Sequence, residues 1–213
     1  MKYDQEQLLL AAEVGDAKSV HLLLERGTYL ECKYNGSDTP LSVAAYHGHA
    51  DIVRLLLDKG AGIEAKDLYG RAFLIYAAGN GHENAARLLL ENDSNIESKD
   101  KDSWTPLRYA AKKRHEDVVK LLLEQGCNID PRDRSGWTPL NYAAHEGHES
   151  IVKLLLEKGS NLESRDHDGR TPLRCAAEKG HEGVVKLLLD KGADLERAGL
   201  TTEQVTGAVP LLK

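Results

Sequence analysis

The chain has 213 residues, with 28 Lys and Arg against 34 Asp and Glu, a net charge of −6 and only 5% aromatics. Its core must therefore be built from Leu, Val, Ile and Ala rather than from Phe and Trp anchors. The longest unbroken apolar run, residues 72–78, is far short of a membrane span, residues 8–12 follow Asp4 and Glu6 and are no secretion signal, and the acidic balance argues against nucleic acid as a partner.

Taken in chain order, the sequence repeats itself every 33 residues. Residues 1–32 start directly on helical spacing, with Ala11-Ala12 and Leu22-Leu23-Leu24, and read as an N-terminal capping repeat. Residues 33–65 add a lead-in, Thr39-Pro40-Leu41, before Ala44-Ala45, Gly48-His49 and Leu55-Leu56-Leu57. Thr is a good N-cap, Pro fits the first helical position where its missing N–H costs nothing, and Gly48 suits the left-handed residue that ends a helix. Residues 66–98 depart twice: Ala72-Phe73-Leu74 replaces the lead-in, and Asp93 replaces a helix-ending Gly. This third repeat is expected to be the weak point. Residues 99–131 restore Thr105-Pro106-Leu107 but put Arg114 where the other repeats have Gly, so strain is expected there. Residues 132–164 and 165–197 follow the pattern throughout, and residues 198–213 leave it, with 201–208 able to close the array as a short helix. Each full repeat thus reads as two short helices joined by Asn, Asp and Gly turns.

The run Asp168-Gly169-Arg170-Thr171-Pro172-Leu173, Ala176-Ala177, Gly180-His181, Val184-Val185, Leu187-Leu188-Leu189, Gly192-Ala193-Asp194 resembles the ankyrin repeat, in wording similar to arrays of filamentous fungi. The resemblance covers about residues 5–197. It implies an all-α solenoid of stacked helix-turn-helix repeats with finger-like turns, here one array over 1–197, since one repeat cannot bury its apolar face alone. It also implies a concave face of first helices and fingers that binds partners. The His of the family's Thr-Pro-Leu-His is absent: Ser42, Ile75, Arg108, Asn141 and Arg174 stand there.

His49, His82, His115, His148 and His181 recur once per repeat, roughly 8–10 Å apart if neighbouring helices pack normally, too far for bonds of about 2 Å to one ion. They are read as struts between repeats, and no metal or cofactor is expected. Cys32, Cys127 and Cys175 show no CxxC spacing, which fits a reducing compartment, the cytoplasm or the nucleus. No nucleophile elbow, phosphate loop or HExxH motif is present.

The informative residues are those the repeat itself does not need. At finger and first-helix positions these are Leu68, Tyr69 and Arg71, then Trp104, Lys112 and Lys113, then Arg132, Arg134, Trp137 and His145, then Arg170. Over the whole set of such positions, twelve basic side chains stand against five acidic ones, inverting the charge of the chain. Exposed Trp beside Arg is hot-spot composition. The reading is a monomeric, non-enzymatic scaffold for a protein or peptide that is acidic at the contact, with no role for nucleic acid or membrane. The competing structural role is that each Trp packs on a neighbouring turn and that Tyr76, Tyr109 and Tyr142 pack in the core. The alternative function is a small-molecule-binding or catalytic array, such as an unusual cyclase of fungal secondary metabolism, using Trp104, Trp137, His145, Asp102 and Glu146.

Overall fold

The computed structural model describes residues 2–33 and 38–205; the outer part of the expected closing helix, through Ala208, lies outside them. The described residues form helices and connecting turns, with no strand longer than an isolated bridge such as the antiparallel one between Lys66 and Ala72. The helices come in pairs: α1 (Lys2–Val14) with α2 (Ala17–Glu25), α3 (Pro40–His47) with α4 (Ala50–Asp58), α5 (Phe73–Gly79) with α6 (Glu83–Glu91), α7 (Pro106–Lys112) with α8 (Glu116–Glu124), α9 (Pro139–His145) with α10 (Glu149–Glu157), and α11 (Pro172–Lys179) with α12 (Glu182–Asp190). A last turn, α13 (Thr202–Val205), follows. The chain divides into two compact halves, Met1–Lys101 and Asp102–Lys213.

Local chemistry sets the helix ends. Thr39, Thr105, Thr138 and Thr171 each accept a hydrogen bond from the backbone N–H three residues on, with Pro following. Ala72 occupies the same place before α5 and makes no side-chain cap bond. Non-Gly residues with positive φ are Asp93, Ser103 and Arg114, at 65°, 64° and 65°. All three stand where sister repeats have Gly, so Arg114 does keep the left-handed turn that its position demands. Gly is required twice over at Gly15 and Gly147: φ is +81° and +75°, and an added Cβ would lie 2.7 Å and 2.6 Å from the rings of His49 and His181.

Within the N-terminal half α3 packs between α1 and α5, and within the C-terminal half α9 packs between α7 and α11. The paired alanines of these first helices, such as Ala44, Ala45, Ala143 and Ala144, are wholly buried, and their small side chains let helices approach closely. The second helices bury one stripe each, for example Ile52, Val53 and Leu56 on α4 or Ile151, Val152 and Leu155 on α10. Full burial of such a side chain contributes about 1.5–3 kcal/mol.

Within each half, polar bonds then seat one repeat on the next. The Nε2 atoms of His49, His82, His148 and His181 lie 2.9 Å from the carbonyls of Glu13, Tyr46, Lys112 and His145. The histidines are thus struts, as their spacing suggested. Carboxylates form a second set: Glu31, Glu64, Asp130 and Glu163 accept the backbone N–H groups of Gly62, Asn95, Asn161 and Asp194 at 2.8–3.0 Å. Much of the acidic content therefore has a structural role. At the C-terminal end, Arg174 Nη1 donates to the carbonyls of Ala198 and Gly199, and Thr201 and Gln204 cap α13 reciprocally.

Candidate protein-interaction face

Three fingers are each organised by one aspartate at the base, Asp67, Asp133 or Asp166. Asp67 Oδ1 accepts the N–H groups of Tyr69 and Arg71, and Oδ2 accepts the Arg71 guanidinium and the Tyr76 hydroxyl, all at 2.8 Å or less. Asp166 repeats the scheme with Arg170, except that Cys175 replaces the tyrosine. Burial alone would raise the Asp67 pKa; the bonds from Tyr76 and Arg71 outweigh it and hold the carboxyl below its ordinary value.

The fifth repeat solves the same problem differently. Trp137 stands where Arg71 and Arg170 stand, so Asp133 lacks a cation from its own finger. Its Oδ1 still accepts from Ser135 and Trp137, and Oδ2 from the Tyr142 hydroxyl at 2.8 Å. The counter-charge comes from the preceding repeat: Arg108 Nη2 lies 3.2 Å from Asp133 Oδ2, both side chains being almost fully buried. None of the three Arg108 nitrogens is aimed along a hydrogen bond, so the pair is an ionic contact, covered by the ring of Trp104 on one side and that of Tyr142, 3.7 Å away, on another. Burial pulls the Arg108 pKa down to about 10, the attraction of Tyr142 and Asp133 acting against it. Burial, with the bond to Asp133, pushes Tyr142 up to about 12.

Around Tyr142 the structure gathers five of the predicted residues. Its ring lies 5.8 Å from Trp104 and 4.6 Å from Trp137. Lys112 Nζ sits 5.2 Å from the Trp104 ring, while Trp137 meets His145 at 5.2 Å and Arg170 at 5.4 Å. Both tryptophans are half-buried rather than exposed, because they close over this polar core. Burial, then the charges of Lys179 and Lys112, lowers the pKa of His145 despite Glu146 at 3.4 Å.

The remaining predicted residues are dispersed. Lys113 is exposed. Arg134 is exposed on a finger, 3.8 Å from Asp102, which sets Asp102 in the finger row and not beside His145. Arg132 reaches the carbonyls of Gly136 and Arg165, as Lys66 and Arg165 reach those of Lys99 and Arg197, and so helps tie successive fingers together. In the N-terminal half, Arg71 is half-buried against the rings of Tyr69 and Tyr76, and Leu68 and Tyr69 are 67% and 65% exposed. The residue that sequence reasoning missed is Arg108. Its signal was legible only by reading two repeats together: an Arg where the motif has His, followed one repeat later by Trp in place of Arg.

Among the described residues no cluster of His, Cys, Asp and Glu is arranged to hold a metal, and no helix is long and apolar enough to cross a membrane. Cys32 and Cys175 are buried thiols outside any disulfide, and burial pushes Cys175 up to about 12.

Comparison with known proteins matches this geometry. Among solved structures the chain is similar to the ankyrin repeat domain of human ASB11, with a TM-score of 0.85, 24% identity and 97% of this chain and 99% of that one covered. It is also similar to the ankyrin repeat domain of Bcl-3, a member of the IkappaB family, with a TM-score of 0.82, 28% identity and 94% and 96% covered. No curated protein sequence matches the chain. The family profile described as Ankyrin repeats (3 copies) matches residues 8–100, 62–133, 92–166 and 130–198. With paired helices, fingers and His struts recurring across that span, the chain belongs to the ankyrin-repeat family, whose domains are in general protein-interaction scaffolds.

Proposed function

We propose that the protein is a non-enzymatic scaffold, one array over residues 1–197 with a tail over 198–213, that binds a partner protein or peptide as a monomer in the cytoplasm or nucleus. The partner docks on first helices and fingers, the face expected to be concave, and is acidic where it meets the C-terminal half. The observation that carries this reading is the fixed row of Lys112, Trp104, Tyr142, Trp137 and Arg170. Half-exposed rings flanked by cations are what an acidic, partly apolar segment needs, and anchors already held in place lose little freedom on binding. Leu68 and Tyr69, exposed on a finger bonded at its base, offer a separate contact within the N-terminal half.

The test starts from a partner captured with the full chain and then titrates variants at two salt concentrations. Trp137→Ala should weaken binding by about 2 kcal/mol or more. Trp104→Ala also uncovers Arg108, so its melting curve must accompany the titration. Lys112→Glu with Lys113→Glu should slow association and reduce its salt dependence, because charges at an interface rim mainly steer encounter. Lys153→Glu on α10 and Lys186→Glu on α12 should change neither. If those two weaken binding as much as Trp137→Ala does, the face is wrong. If only Leu68 and Tyr69 matter, the contact belongs to the N-terminal half.

A further inference from the structure

A repeat that closes an array needs a polar outer face, and the first repeat lacks one. α1 buries Leu8, Leu9, Ala11 and Ala12, which is all the apolar surface that a helix packed on one side requires. It carries a second apolar stripe, Tyr3, Leu10 and Val14 at i, i+7 and i+11, and Leu22 of α2 stands beside it; these four are 50–70% exposed. They line one groove of about 320 Å³ between the two helices. Its polar groups sit at the ends, Asp16 and Ser19 near the turn and Asp4 and Arg26 at the far side, as a rim around an apolar centre. The repeat does not demand this composition: Val14 stands where the sister repeats have His47, Asn80, Lys113, Glu146 and Lys179. Leu10 and Leu22 show what covers such a face elsewhere. Their counterparts in the third repeat, Tyr76 and Leu88, are only 8% and 6% exposed. Tyr76 meets Tyr46 of α3 at 5.7 Å, and α6, which carries Leu88, packs on α4. The cover there is helical.

We infer that the outer face of α1 and α2 is a docking groove for an amphipathic helix of a partner protein. The apolar residues of that helix recur at i, i+4, i+7 and i+11 and seat among Leu10, Val14 and Leu22, while its polar flanks meet the rim. From Tyr3 to Val14 the stripe runs about 16 Å along α1, so a helix of about three turns spans it. A cluster of exposed apolar side chains with a polar rim marks an interaction site, and here the neighbouring repeats supply the shape of the occupant. None of these residues belongs to the Tyr142 row or to the Leu68 finger. The groove rests on the scaffold reading only in assigning the helix to a partner protein.

The experiment needs no captured partner. The ¹⁵N-labelled full chain is titrated with a blocked helical peptide of about four turns, built from Ala, Glu and Lys with Leu at i, i+4, i+7 and i+11. The control is its isomer, of the same composition, with the leucines spread round the helix. The striped peptide should give saturable shifts at the Gln7, Leu10, Val14 and Leu22 amides and bind about tenfold better than the isomer. Val14→Asp and Leu22→Glu, both at exposed positions, should leave the melting curve in place and each weaken the striped peptide about tenfold. Leu68→Ser, on the third-repeat finger, should not. Equal binding of the isomer, shifts centred elsewhere, or a loss on Leu68→Ser as large as that on Val14→Asp would each overturn the assignment. A free chain that pairs with itself in sedimentation, and ceases to on Val14→Asp, would replace the partner helix by a second copy and overturn it too. Failure here leaves the Trp137 and Lys112 titrations untouched, so the two readings fall separately.

Discussion

Three side chains sit in backbone conformations that favour glycine, and each should yield stability when replaced by it. Asp93, Ser103 and Arg114 all have φ near +65° at positions that sister repeats give to Gly. The left-handed conformation costs a residue with a Cβ roughly 1–2 kcal/mol, and glycine's extra freedom when unfolded returns part of that. Arg114→Gly, Ser103→Gly and Asp93→Gly should each stabilise by up to about 1 kcal/mol in urea melts. An unchanged or lower midpoint for Arg114→Gly would show that its side chain makes a compensating contact. The buried pair makes a sharper prediction. Arg108→Met strands Asp133 and should cost about 3–5 kcal/mol. Trp137→Arg restores the arrangement of Arg71 and Arg170, so in that background it should recover at least half of the loss, whereas alone it should not stabilise. A double-mutant cycle in thermal melts reads the coupling. Asp67 supplies a pH test. Its folded pKa lies below the unfolded value, so its stabilisation is present above about pH 4 and disappears as pH falls through the folded pKa. The stability gap between wild type and Asp67→Asn should therefore narrow in acid.

Among the elements, α5 is the exception. It is buried along its whole length, from Phe73 to Gly79, yet it starts at Ala72 with no side-chain cap. Ala72→Thr should add about 1 kcal/mol, since the threonines at this place in the other repeats are equally buried. Hydrogen exchange then decides how far Phe73 already offsets the missing cap: residues 74–78 should open more readily than residues 140–144, and equal protection would mean that packing has replaced capping. The other helices were legible in the sequence because every signal agreed. The alanine pair and the leucine triplet recur in phase across six copies, and Thr-Pro marks the start of the first helix in four of them. The departures were legible too, as breaks in that phase at Ala72, Asp93 and Arg114. What was not legible was exposure within a finger. Trp104 and Trp137 read equally as exposed anchors or as rings packed on a neighbouring turn, and the Asp133 core draws them inward. Arg108 and Trp137 inform each other only across a repeat boundary, where a column-by-column comparison does not look.

At the scale of the molecule, the C-terminal half shows how its last repeats are held. The sixth repeat rests on the fifth through His181 to the His145 carbonyl, the Asp194 N–H to Glu163, and the His167 N–H to the Ser135 carbonyl. The fifth rests on the fourth through His148 to Lys112, Asn161 to Asp130, and Arg134 to Asp102. His181→Ala and Glu163→Gln should each cost about 1 kcal/mol, and together they should speed hydrogen exchange across α12. Each of these two repeats is thus seated at three separate points: the turn after the first helix, the turn after the second, and the finger tip. Three such points leave a rigid body no freedom to rock or swivel, as with a stool on three legs. The fingers of this half then stand at a constant pitch, and a partner spanning several of them must bring its own groups at matching intervals. Selection among partners would act on the spacing of their residues as much as on their identity.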